Sequence, residues 1–272
     1  MKTINKLLNN SIAFLLAIVM GYPLLYVVST SLKPLNDYFT EPVKLFSALS
    51  LENYKYVIDM GFHVFFKNSL LITFFSVIVT VLLATMASYA LVKLDFKFNK
   101  ILSLLFIAGM MIPVHATLIP IFNLEKNIYI YNRLIGVALP LIAFSLPISI
   151  FIVSQFMRDI PNELVEAAKM DGASEYQTFW GIFFPLLKPA ISTIVIYTGV
   201  KIWNEFIFSL VLLNDVEKYT IPLGLQQFYG EFSVNVPALL AAIFTATIPV
   251  ISIFLILQDK FVKSLTGGAV KG

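Results

Sequence analysis

The stretch LIGVALPLIAFSLPISIFIVSQFM, residues 134–157, runs for 24 residues without an Asp, Glu, Lys or Arg and is closed by Arg133 and Arg158. At 1.5 Å per residue a helix of that length reaches about 36 Å, enough for the roughly 30 Å hydrocarbon core of a bilayer. A helix satisfies its own backbone groups, so it can pass through lipid where an open strand or loop cannot. The run reads as a membrane-spanning helix, and it sets the terms for the rest of the chain.

Four more charge-free runs lie around it: residues 7–32 with 26, 68–92 with 25, 101–124 with 24, and 232–258 with 27. A sixth segment, 190–213, is equally apolar but carries Lys201 and Glu205. The expected fold is an all-α polytopic membrane protein with six spans. We divide it into a first helix with an external loop over 1–66, a five-helix transport domain over 67–258 and a cytoplasmic tail over 259–272. Composition agrees: 58% of the 272 residues are hydrophobic, only 13% are charged, and the mean hydropathy is +0.85. A soluble domain carries about 25% charged residues, so an ordinary cytosolic enzyme is excluded. The absence of cysteine removes disulfides, thiolate metal sites and a cysteine nucleophile. A net charge of +3 gives no ground for nucleic acid.

Lys2 and Lys6 ahead of the first run raise a second reading, a cleaved signal peptide. The run is longer than the usual apolar core of roughly 7–15 residues, and no A-x-A-like site follows, which favours a retained helix. Six spans place both termini on one side. The segments on that side, 1–10, 93–100, 155–190 and 259–272, hold 11 Lys or Arg in 68 residues, against 7 in 71 for the opposite segments. The positive-inside bias puts both termini in the cytoplasm.

Prolines 23, 113, 120, 140, 147 and 249 fall within the spans. Each removes a backbone donor and can kink its helix. Two readings stay open, irregular packing and a bundle built to rearrange. No internal repeat and no low-complexity segment stand out.

The most informative loop joins the fourth and fifth spans, over 155–190. Pro161 suits the first turn of a helix. Leu164, Val165 and Ala168 then share one face, with Glu163, Glu166 and Lys169 elsewhere. Asp171-Gly172 ends that helix, because glycine supplies the positive φ of a C-terminal cap. Ser174 with Gln177 forms a capping box that starts a second helix carrying Phe179, Trp180 and Phe183. Pro185 and Pro189 disturb that helix before the next span. The expected object is a cytoplasmic helix–turn–helix elbow suited to a groove in another protein. Lying on the inner leaflet is the alternative, but five acidic residues against three basic ones make a poor match for anionic lipid.

Glu166-Ala167-Ala168, followed by Gly172, Ile182 and Pro185, resembles the EAA loop of ATP-binding-cassette importer permeases. The longer run Glu166-Ala167-Ala168-Lys169-Met170-Asp171-Gly172-Ala173-Ser174, with Phe179, Leu186 and Pro189, is similar to the carbohydrate-uptake, maltose-type branch. Phe184 stands where leucine often precedes the proline. Trp203-Asn204-Glu205-Phe206 and the ending Gly267-Gly268-Ala269-Val270-Lys271-Gly272 resemble the same branch, and the likeness covers roughly residues 67–272.

That resemblance implies a subunit of the bacterial inner membrane that is not itself an enzyme. It implies a second, similar permease sharing the translocation path and an external solute-binding protein. Two ATPase subunits are implied as well, each receiving an elbow. Glu166, Ala167, Ala168, Asp171 and Gly172 become the expected ATPase-coupling residues. The chain has no G-x-x-x-x-G-K-[ST] loop, so it binds no cofactor of its own in this reading and ATP is used by the partner subunits. The expected cargo is a carbohydrate, an oligosaccharide first, with a glycerol-phosphate ester as the alternative.

Other classes fit less well. The only histidines are His63, expected in an external loop, and His115, expected in the third span as a packing group or a lining of the path. Glu205 is the only acid expected within a span, so paired carboxylates for acid–base chemistry are missing. An ion-coupled secondary transporter remains a reading, because Lys201 and Glu205 could carry protons. Four residues apart, these two are expected on one helical face, within reach of each other. Either Lys201 snorkels while Glu205 pairs with the partner permease, or Asn204 and Glu205 border the path with Lys201, Trp203 and Phe206 nearby.

Overall fold

The computed structural model describes residues 2–229 and 234–269. The described backbone is almost wholly helical, apart from one antiparallel bridge between Tyr229 and Val234. The elements run α1 (Lys2–Ser31), α2 (Leu35–Thr40), α3 (Glu52–Asp59), α4 (Phe62–Lys93), α5 (Asn99–Gly109), α6 (Leu118–Asn127) and α7 (Leu134–Arg158). They continue with α8 (Glu163–Met170), α9 (Glu175–Thr178), a π-helical turn (Phe179–Phe183), α10 (Phe184–Leu186), α11 (Lys188–Trp203), α12 (Ile207–Leu212), α13 (Ile221–Gly224) and α14 (Val236–Ala269). The end of the chain, Val270-Lys271-Gly272, lies outside the described residues.

Six apolar spans were expected, and the structure holds four continuous ones with two further bent helix pairs among the described residues. Among the described residues, Asn9–Ser31, Phe62–Lys93, Leu134–Arg158 and Val236–Ile256 are continuous helices long and apolar enough to cross a membrane. The third expected span is broken: Asn99–Gly109 and Val114–Asn127 meet at 96°. Pro113 is the cause, since it lacks an N–H and drives Ile112 away from helical backbone. Pro113 itself is extended (φ −70°, ψ 119°) and opens a 3-10 turn at Val114–Thr117. His115 sits in that exposed turn rather than inside a helix, and His63 is an exposed residue of the first turn of α4 rather than of a loop. The other bent pair, Glu175–Leu186 with Lys188–Trp203, turns by 72° next to Pro185 and Pro189.

Proline has a different weight at each site. Pro23, Pro140, Pro147 and Pro249 lie inside continuous helices. Pro120 falls in the first turn of α6, where its missing donor costs nothing.

Two compact units share the chain, residues up to His63 with 224–249, and residues 64–223 with the segment from 250. In the larger unit α7 is the central element, with Gly136, Val137, Ile150, Val153 and Met157 among its buried residues. One core cluster joins Val81 and Ala84 of α4 to Ile150 and Val153 of α7, Ile194 of α11, and Val165, Phe179 and Phe183 of the connecting segment. A second joins Ile72, Val137, Leu141, Ile202, Phe208 and Leu212. Small hydroxyl residues bring α4 close to α7: Ser88 Oγ donates to the Ile150 carbonyl at 3.1 Å, and Ser154 Oγ donates to Ser88 Oγ at 3.2 Å.

Candidate functional site

The segment between α7 and α11 folds as the sequence chemistry dictates. Helix α8 buries Val165 and Ala168 and turns Glu163, Glu166, Ala167 and Lys169 outward. It ends in a Schellman motif. Gly172 takes φ +77°, its N–H donates to the Lys169 carbonyl at 3.1 Å, and the Ala173 N–H donates to the Ala168 carbonyl at 2.9 Å. No atom lies within 4 Å of the position a Cβ would take at Gly172, so the turn is left-handed but not crowded. Ser174 then opens α9 with the complete capping box: its hydroxyl accepts from the Gln177 N–H at 3.3 Å, while the Gln177 side-chain Oε1 accepts from the Ser174 N–H at 2.8 Å.

Of the five residues expected to meet an ATPase, Glu166, Ala167, Asp171 and Gly172 are exposed. Ala168 lies apart from them. It is only 4% exposed, because the helical period that aligns it with Val165 turns it into the bundle. Met170 takes the outward place instead, 88% exposed, with Tyr176 at 71% beyond the turn.

Sequence reasoning missed what fastens this segment. Tyr89, near the end of α4, donates to Glu175 Oε2 at 2.6 Å, and Lys169 pairs with Glu175 Oε1 at 3.3 Å. Lys93 donates to Asn162 Oδ1 at 2.8 Å and to the Ile160 carbonyl, and it stands 5.7 Å from the centre of the Phe183 ring. Tyr89 also packs on Phe179 and Phe183, with ring centres 5.4 and 5.1 Å apart. The only signal for these contacts was a polar end on an apolar helix, which ordinarily marks the membrane surface.

The second predicted constellation is rearranged. Helix α11 stops at Trp203, Asn204 caps it, and Glu205 lies beyond its end. Lys201 and Glu205 therefore do not share a helical face, and no ion pair joins them among the described residues. The Glu205 carboxylate turns forward to α12, accepting from the Phe208 N–H at 2.7 Å and the Ser209 N–H at 3.2 Å. A carboxylate suits those unpaired donors at a helix start. Asn204 Nδ2 donates back to the Val200 carbonyl at 2.8 Å. Lys201 and Asn204 are exposed, Glu205 and Phe206 are half-buried, and Trp203 is buried edge-on to Phe66 at 5.7 Å.

A different acid lies within an apolar helix. Glu125, expected in an external loop, lies within α6 and is 2% exposed. Its carboxyl rests against Gly136 at the start of α7, where a Cβ would come within 2.6 Å of Glu125 Oε2 and 2.8 Å of the Ile130 carbonyl. The sequence placed Glu125 one residue past a charge-free run, which is the usual position of a solvated acid.

Almost wholly helical described residues, with four continuous helices and two bent helix pairs apolar enough to cross a membrane, define a polytopic membrane protein. The chain belongs to the family of binding-protein-dependent transport system inner membrane components, whose sequence profile matches residues 76–267. It is thus a multi-pass protein of the bacterial inner membrane and a transport component rather than an enzyme. It is 36% identical over 256 residues to a putative ABC transporter permease protein ORF2 of Caldicellulosiruptor sp. (strain Rt8B.4), covering 94% of this chain and 93% of the relative. It is 31% identical to the arabinooligosaccharides transport system permease protein AraQ of Bacillus subtilis (strain 168), with 95% and 93% covered. For the melibiose/raffinose/stachyose import permease protein MelC of the same organism the identity is 32%, with 96% and 95% covered. Among solved structures, a chain from the crystal structure of a bacterial ABC transporter involved in the import of the acidic polysaccharide alginate shares the fold. Its TM-score is 0.84 at 23% identity, with 95% of this chain and 97% of that chain covered.

Proposed function

We propose that this chain is one permease of an ATP-dependent importer of carbohydrate, an oligosaccharide in particular. A second permease completes the translocation path, two ATPase subunits supply ATP hydrolysis, and an external binding protein delivers the sugar. The observation that carries this reading is the α8–α9 turn. Its inner face is bonded to α4 and packed with α7 in one core, and its outer face offers Glu166, Ala167, Met170, Asp171 and Gly172. A segment fixed on one side and exposed on the other is what a coupling contact requires. Both termini and this turn lie on the cytoplasmic side, as the Lys and Arg bias requires. Relatives named for arabinooligosaccharides and for melibiose, raffinose and stachyose support the cargo class.

On the path, exposure supports Asn204 and Lys201 as lining residues. The bonds of Glu205 to α12 support a different role for it, holding the break between α11 and α12 open for movement. Burial makes Trp203 a packing residue beside that break.

The test is uptake by cells carrying the whole importer. Transport of labelled oligosaccharide is expected to survive a protonophore and to fail on ATP depletion. Gly172→Asp is expected to leave the protein in the membrane while abolishing uptake and substrate-stimulated ATP hydrolysis. Normal coupling in that variant would remove the turn from the ATPase interface.

A further inference from the structure

Lys33 stands two residues past the end of α1 and is fully buried, yet among the described residues it forms no ion pair. Its ammonium donates to the backbone carbonyls of Glu41 and Lys44, each at 2.8 Å, and to that of Pro42 at 3.5 Å. Neighbouring groups work the same way. Asn53 Nδ2 donates to the carbonyls of Ser31 and Lys33 at 2.9 Å, the Ser50 N–H to the Leu32 carbonyl at 2.8 Å, and the Phe46 N–H to Ser29 Oγ at 2.6 Å. The loop is folded back on the end of α1 with its polar backbone turned inward.

The side chains it turns outward are largely apolar, with Asn36, Thr40, Glu41 and Lys44 as the polar residues among them. Phe39, Val43, Leu49 and Leu51 are 69%, 70%, 75% and 70% exposed. A loop facing water leaves its carbonyls to solvent and presents polar side chains. In an apolar medium no water is available, so each carbonyl needs a donor from the protein. Lys33 and Asn53 supply such donors.

We infer that residues 35–51 lie in the headgroup–acyl boundary of the bilayer, with lipid covering the Phe39, Val43, Leu49 and Leu51 side chains. Position agrees, because the membrane-spanning part of α1 ends at Ser31 and the loop begins at the membrane surface. α1 itself presents exposed apolar side chains along the span that precedes the loop, with Phe14, Met20 and Leu24 at 70%, 73% and 63%. Charge agrees as well. Glu41 and Lys44 neutralise each other in an exposed pair at 2.9 Å, and Asp37 leaves the segment with one net negative charge, which suits the headgroup layer and asks for no anionic lipid.

The chain contains no cysteine, so single spin labels can be placed without background. Phe39→Cys, Val43→Cys, Leu49→Cys and, as a polar control, Glu41→Cys would be labelled in the intact transporter in phosphatidylcholine vesicles. Collision rates with oxygen and with a water-soluble nickel chelate are then compared. Labels at 39, 43 and 49 are expected to collide more with oxygen, and the label at 41 more with nickel, with no change on adding salt. Nickel collisions at 39, 43 and 49 equal to those at 41 would place the loop in water. Exclusion of both reagents would place it under another protein. Either result overturns the inference. Adding Lys33→Met to the Val43 label is expected to sharpen its spectrum and admit nickel, and Asn53→Ala serves where Lys33→Met fails to insert. An unchanged spectrum in both would overturn the role given to the clamp.

Discussion

Two glycines of the larger unit carry different physical demands, and replacing each by alanine separates them. At Gly172 the demand is conformational: φ is +77° and no atom lies within 4 Å of a Cβ position. Forcing an L-residue into that region costs roughly 1–2 kcal/mol, so Gly172→Ala is expected to loosen the turn without a clash. Amide hydrogen exchange at residues 168–176 should rise while the thermal midpoint of the bundle stays near that of the parent. At Gly136 the demand is space, because a Cβ would meet Glu125 Oε2 at 2.6 Å and the Ile130 carbonyl at 2.8 Å. Overpacking of that kind costs about 1–3 kcal/mol, and Gly136→Ala should lower the thermal midpoint of the purified transporter. The carboxyl is the end of a flexible side chain, whereas the carbonyl is backbone. Adding Glu125→Ala is therefore expected to recover only part of the loss, and full recovery would mean that the carboxyl alone sets the distance.

The caps of α8 and α9 could be written down from the sequence because they depend on near neighbours. Gly172 closes the Schellman motif and Ser174 with Gln177 forms the capping box, both within a few residues. Losing such a cap costs about 0.5–2 kcal/mol, so Ser174→Ala should weaken substrate-stimulated ATP hydrolysis without changing the amount of protein in the membrane. Equal coupling in Ser174→Ala and the parent would show that α9 is held by its aromatic packing alone. Other features were illegible for definite reasons. A charge-free run reports length and not straightness, so the 96° break at Pro113 was hidden inside residues 101–124. Helical spacing put Lys201 and Glu205 on one face only while α11 was taken to continue, and the helix stops at Trp203. Spacing also aligned Ala168 with Val165, and that same alignment buries it. Long-range partners such as Tyr89 and Glu175, separated by 86 residues and four helices, leave no local pattern at all.

At the scale of the whole molecule, an importer coupled as proposed works only if movement at the α8–α9 turn reaches the spans. Within the larger unit, the contacts that can carry it run from the turn to the end of α4. Tyr89 reaches Glu175 at 2.6 Å, Lys93 reaches Asn162 at 2.8 Å, and the rings of Phe179 and Phe183 pack on Tyr89. The ring contacts resist compression, but they are non-directional and permit sliding. The two hydrogen bonds fix direction, and the one to Glu175 joins a carboxylate that Lys169 also holds. Tyr89→Phe keeps the ring and removes only that bond, a change worth roughly 1.5–3 kcal/mol for a charged acceptor. The variant is expected to assemble with the ATPases and to hydrolyse ATP, yet to move fewer sugar molecules per ATP than the parent. Tyr89→Phe with Lys93→Met should lower that ratio further than either change alone, while Tyr89→Ala, which also opens a cavity beneath Phe179 and Phe183, should reduce assembly itself. The measurement is the ratio of sugar accumulated to phosphate released in vesicles loaded with ATP. An unchanged ratio in the double variant would mean that motion reaches α4 through packing alone, and that the polar bonds serve only to place the turn.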